Sequence, residues 1–154
     1  MTEKFREQFL TVGKKFGLPQ FEELNREFDI DHIEECAFPL RQIRIHISEY
    51  LEFYAKTIED VLHPEPSISS LYELKNLSDK EKETLFIIYK ELMKTLRYSL
   101  ETGLKNTEAD DARFIKETLA KWQQTKKTLL TLAQKLKESW DKEYINKEDL
   151  GYLG

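Results

Sequence analysis

One cysteine, four prolines and five glycines are all that 154 residues hold of the types that cross-link, break or loosen a chain. A lone Cys36 excludes an internal disulfide, and without cysteine pairs at ligand spacing a zinc finger or ribbon is excluded too. So few glycines and prolines do not supply the turns of an all-β fold, which needs one roughly every ten residues. Nowhere do about 18 apolar residues run together, so no membrane-spanning helix is expected. The opening MTEKFREQFLTVGKKFG lacks the apolar block and small residues of a secretory signal. Positive charge is also short: 24 Lys and Arg face 29 Asp and Glu, a net charge of −5. That field opposes a phosphate backbone, so nucleic-acid binding needs a local basic patch and is not favoured. The expected setting is the cytoplasm, with no membrane contact, no metal and no cofactor.

What is abundant is apolar residues at helical spacing among charges, 40% and 34% of the chain. The length is that of one domain. Phe5, Phe9, Val12 and Phe16 fall on one face of a first helix that Gly17 can close. Pro19 opens a short second helix carrying Phe21, Leu24 and Phe28. Asp31 and Glu34 have capping-box spacing, so a third helix can begin near residue 32, but Pro39 inside it would cost ~3 kcal/mol and predicts a kink or a fresh start. Length agrees with the fresh start: residues 32 to 62 would make a rod of about 46 Å, 39 to 62 one of about 36 Å.

Leu40, Ile43, Ile47, Tyr50, Tyr54, Ile58 and Val61 make this the central helix, and His63-Pro64-Glu65-Pro66 stops it. A helical turn over Ser69 to Lys75 follows. Ser78 with Glu81 caps a further helix carrying Leu85, Tyr89, Leu92, Leu96 and Leu100 inward, ending over Gly103 to Thr107. The last helix runs from about 108 to the mid-140s, with Trp122 and Trp140 on one side. The prediction is an all-α, single-domain antiparallel bundle of three substantial helices and two or three short ones over residues 1–154.

Few residues suggest chemistry. Asp29 with His32, and Asp60 with His63, have the spacing of paired metal ligands, but the inward positions after residue 83 look apolar and leave a metal centre incomplete. Glu49 with Glu52, and Glu108 with Asp111, have the spacing of magnesium-holding acid pairs, yet the second falls where acids merely favour a helix start. The lysines of the last helix, Lys116 to Lys137, spread around its solvent arc. Phe38, Ile45 and Phe53 lie off the main stripe of the central helix. Either the bundle surrounds that helix, which the need to dock the short aromatic helices favours, or a second face meets another protein.

Arg41 and His46, with four residues between them, resemble the signature of HEPN ribonucleases. That resemblance implies a metal-independent cut at an RNA 2′-hydroxyl, with His46 moving a proton and Arg41 clamping phosphate, often across a dimer. FEELNREFDI near the start and LGYLG at the end give a chain similar to small uncharacterised archaeal helical proteins, a resemblance that implies no activity. The segment 148–154 carries Tyr152 and Leu153 beside Gly151 and either folds back on the bundle or serves as a peptide ligand. The expectation is a non-enzymatic protein-binding module whose partner-facing residues are Phe38, Ile45, Phe53, Tyr152 and Leu153, as a monomer or homodimer. The alternatives are the Arg41/His46 ribonuclease and an RNA- or ribosome-associated binder.

Overall fold

The computed structural model describes residues 3–63 and 67–141. Within them lie six helices and no strand: α1 Glu3–Phe16, α2 Phe21–Phe28, α3 Pro39–Leu62, α4 Ile68–Lys75, α5 Asp79–Lys105 and α6 Glu108–Ser139. Gly17, at φ 61°, turns the chain out of α1, a conformation that costs glycine nothing. Pro19 sits ahead of α2 rather than inside it, because Gln20 is the cap. Phe21 meets Phe9 and Phe5 edge-on, with ring centres 5.4 and 6.4 Å apart, and this closes α1 and α2 into a hairpin.

No helix starts near residue 32. Asp29 instead ends α2 in the left-handed conformation, its N–H on the Asn25 carbonyl, while the Asp31 N–H is taken by the Asn25 side chain at 2.9 Å. Buried Ile30 then anchors a strap, which Gln8 of α1 pins from both sides by accepting from the Cys36 N–H and donating to its carbonyl. The fresh start at Pro39 is the outcome, with proline in the first turn where its missing N–H is harmless.

The three long helices run up, down and up. Arg44 and Ser48 of α3 meet Ser99 of α5, and lower down Ile58 and Val61 face Leu85, so α3 and α5 are antiparallel. Tyr98 packs on Phe114 while Glu81 pairs with Lys135, so α6 folds back along α5. Both reversals follow from short connections. Thr107 caps α6 directly after Asn106 ends α5 at φ 56°, and Ser78 and Glu81 form the expected reciprocal capping box. The core joins Leu40, Ile43, Ile47 and Leu51 of α3 to Leu85, Ile88 and Leu92 of α5 and Ala112, Phe114, Ile115 and Leu119 of α6. No helix among the described residues is long and apolar enough to cross a membrane.

Two details of the sequence reading are corrected. The inward positions after residue 83 are not all apolar: Ser99, Thr102, Asp111 and Thr118 are buried, whereas Leu100 is 59% exposed. Arg44, on the buried side of α3, accounts for two of them: its guanidinium binds Asp111 and Ser99. The last helix also stops at Ser139, and Trp140 packs at a tilt against Tyr72 of α4 with ring centres 4.4 Å apart. The Tyr72 hydroxyl donates to the Ser139 carbonyl at 2.6 Å, which fixes α4 to that end.

Candidate protein-docking groove

Beyond residue 50 the facing sides of α3 and α6 do not close on each other. Between them lie two adjoining hollows of about 270 and 140 Å³ that share Tyr54, Leu129 and Ala133. The first continues over Tyr50, Trp122 and Leu130, the second over Phe53, Ile58, Val61 and Leu136. From Tyr50 to Val61 the groove is about 16 Å long, three turns of helix.

Its floor is aromatic. Tyr50, Tyr54 and Trp122 lie with ring centres 5.3 to 5.9 Å apart, Phe28 closes one end against Tyr50, and Phe53 leans on Tyr54 at 5.3 Å. Burial, the Tyr54 hydroxyl, and the carboxylates of Glu27 and Asp29 hold the Tyr50 phenol well above its ordinary range, so it stays neutral. The single cation at this lining, Lys126, is occupied by Glu27 at 2.9 Å. The walls are greasy to their rims: Phe53 is 66% exposed on α3 and Leu130 57% on α6.

Phe38 and Ile45, nearer the start of α3 and outside the two hollows, are also exposed, at 53% and 37%. The expectation that the chain's own short helices cover that face is overturned. The α1–α2 hairpin seats on the α3–α6 side, where Phe28 meets Tyr50 and Trp122, and Gln123 donates to Glu23. Tyr152 and Leu153 lie outside the described residues.

Arg41 and His46 turn to different neighbours within the chain. Arg41 donates to the Asn106 side chain and lies over the Phe38 ring, its guanidinium carbon 4.3 Å from the centre. His46 places Nε2 2.6 Å from the Phe28 carbonyl and its ring against His32, with centres 4.6 Å apart. Because a carbonyl can only accept, that nitrogen carries the proton.

Of the paired acids, Asp111 is buried against Arg44 and so does structural duty, while Glu108 is exposed. Asp29, Asp31 and His32 do come together at the surface, with ligand atoms within 4.8 Å of one another. Asp31 was missed in the sequence because spacing rules pair residues along a helix, and here a left-handed turn does the gathering. Comparison with protein-family models, curated proteins and solved structures finds no match.

Proposed function

We propose that this chain is a non-enzymatic helical module that binds an amphipathic helix of another protein in the α3–α6 groove. The observation that carries the reading is the groove itself: an apolar, aromatic-floored trough whose two rims, Phe53 and Leu130, are each more than half exposed. Contiguous apolar surface of that kind marks association sites. A length of about three turns suits a helix presenting apolar residues at i, i+3 or i+4, and i+7. Phe38 and Ile45 add a flanking contact, and Tyr152 and Leu153 belong to the same proposal as a second contact.

A photo-crosslinking residue at Ala133, on the groove wall, tests this. The expected product is a crosslink to one partner peptide with apolar residues at helical spacing. It should be lost in Phe53→Asp and Leu130→Asp, each weakening binding about thirtyfold, as loss of a central apolar anchor does. Leu104→Asp, 80% exposed on α5 and away from the groove, should leave binding unchanged. Retention of the partner by both groove variants, or a crosslink only to a second copy of this chain, overturns the reading. Removing residues 148–154 separates the tail's share from the groove's.

A further inference from the structure

We propose that the cleft between α5 and α6 binds the phosphate group of a small phosphomonoester. The cleft measures about 330 Å³, and Lys94 and Arg97 of α5 and Lys121 of α6 converge on it. None of these three cations has an ion-pair or hydrogen-bond partner among the described residues.

The acceptors that line the same cleft are already engaged. Glu101 is paired with Lys105 at 3.3 Å. Glu117 takes the hydrogen of the Tyr98 hydroxyl; burial first, and that bond second, push the Tyr98 phenol up to about 12, so it stays protonated. Thr95 spends its own hydrogen on the Glu91 carbonyl at 3.0 Å.

At the base the imbalance continues inside the protein. The Thr118 hydroxyl and the Trp122 indole N–H are buried, at residue exposures of 2% and 3%, and neither finds a hydrogen-bond partner. Both residues line a hollow of about 10 Å³ that shares Thr95, Thr118 and Lys121 with the cleft, with Glu91 at its edge. That is room for one oxygen atom. An indole N–H can only donate, and so can ammonium and guanidinium groups. Apart from the Thr118 hydroxyl, which can donate or accept, and the Glu91 carboxylate in the hollow's lining, the unmatched groups are thus donors, and the occupant that answers them is rich in acceptors. A phosphate offers three terminal oxygens, more than a carboxylate's two, and suits the guanidinium fork of Arg97. The volume is that of a small-molecule site at the low end of the usual range rather than a track for a polymer.

The test is titration of the full chain, in chloride buffer, with ribose 5-phosphate, inorganic phosphate, and an RNA oligonucleotide without terminal phosphates. Emission of Trp122 is read in a Trp140→Phe background. Ribose 5-phosphate should bind with Kd of about 1 mM or tighter. Arg97→Gln and Lys121→Gln should each weaken it at least tenfold, Thr118→Val several-fold with melting unchanged or raised, and Lys127→Gln not at all. Inorganic phosphate, which carries the same oxygens, should compete for the site; no saturation by about 10 mM, binding that ignores the cleft variants, or binding of the RNA overturns the assignment. Because Trp122 also floors the α3–α6 groove, Phe53→Asp is the control: it should leave ribose 5-phosphate binding unchanged, which keeps failure of the groove and failure of the cleft distinguishable.

Discussion

Arg44 donates its Nε–H to Oδ1 of Asp111 across 2.6 Å, with side-chain exposures of only 10% and 7%. Arg44 also donates from a terminal nitrogen to the carbonyl and hydroxyl of Ser99, at 3.1 and 3.0 Å, and Ser48 lies 2.6 Å from that hydroxyl. One charge therefore ties α3 to both α5 and α6. Asp111 stands in the first turn of α6, where the helix dipole adds to the stability of its carboxylate.

Removing one partner leaves the other charge buried alone, which costs about 3–5 kcal/mol. Asp111→Ala is expected to lower the melting temperature by on the order of 10 °C. Replacing both, as Arg44→Met with Asp111→Leu, should recover much of that loss. Thermal melts of the two singles and the double decide it, because strict additivity would mean that the pair is not a unit.

Gly103 on α5 owes its place to the same guanidinium. A β-carbon there would come within 3.3 and 3.4 Å of the two terminal nitrogens of Arg44, which Ser99 and Asp111 keep from moving aside. Gly103→Ala should therefore fail to deliver the gain of about 1 kcal/mol that alanine brings inside a helix, and should destabilise. Gly13→Ala in α1, where the new carbon meets only ordinary contacts at 3.7 and 3.8 Å, should show that gain. Denaturant midpoints of the two variants provide the comparison.

Acid should loosen the α5–α6 pairing through Glu81. The bond from Lys135 above all, and then the Ser78 backbone N–H, hold its carboxyl down at about 2, against an ordinary value of 4.5. A depressed carboxyl contributes stability that is fully present above its unfolded value and is lost as pH falls through its folded one. The melting difference between the wild-type chain and Glu81→Gln should thus be constant above pH 4.5 and shrink toward zero as pH approaches 2. A difference that holds constant to the acid end would contradict this.

His46→Ala removes the hydrogen bond to Phe28 and the ring contact to His32, and should cost about 1 kcal/mol, a shift of a few degrees in melting. An RNA-cleaving activity of the wild-type chain that this variant lost, with its melting unchanged, would instead support a proton-transfer role.

The helices were legible wherever one periodicity or cap acted alone. Ser78–Glu81, Gly17 and the stripe from Leu40 to Val61 all rest on local rules, and all are realised. Asp31–Glu34 obeyed the same capping rule and failed, because Asn25, six residues earlier, claims the Asp31 N–H. Arg44 was hidden for a different reason: a single arginine on a helix reads as solvent-facing unless its distant partner, Asp111, is known. The groove was half legible. Phe53 stood out as surplus on α3, but Leu130 and Ala133 looked like ordinary parts of α6 until the two helices were seen to part. The donors around Lys121 were visible only as scattered lysines, since their lack of acceptors is a property of space and not of spacing.

The α1–α2 hairpin is held to α6 by bonds from Lys116 to Phe16, Gln123 to Glu23 and Lys126 to Glu27, each spanning about a hundred residues. During synthesis the hairpin leaves the ribosome before those anchors exist, held until then by the Gln8–Cys36 bonds and by Phe28 against His46 and Tyr50. In a chain cut short before residue 116 the aromatic clasp is therefore fastened to α3 and its strap alone, with the α6 side open.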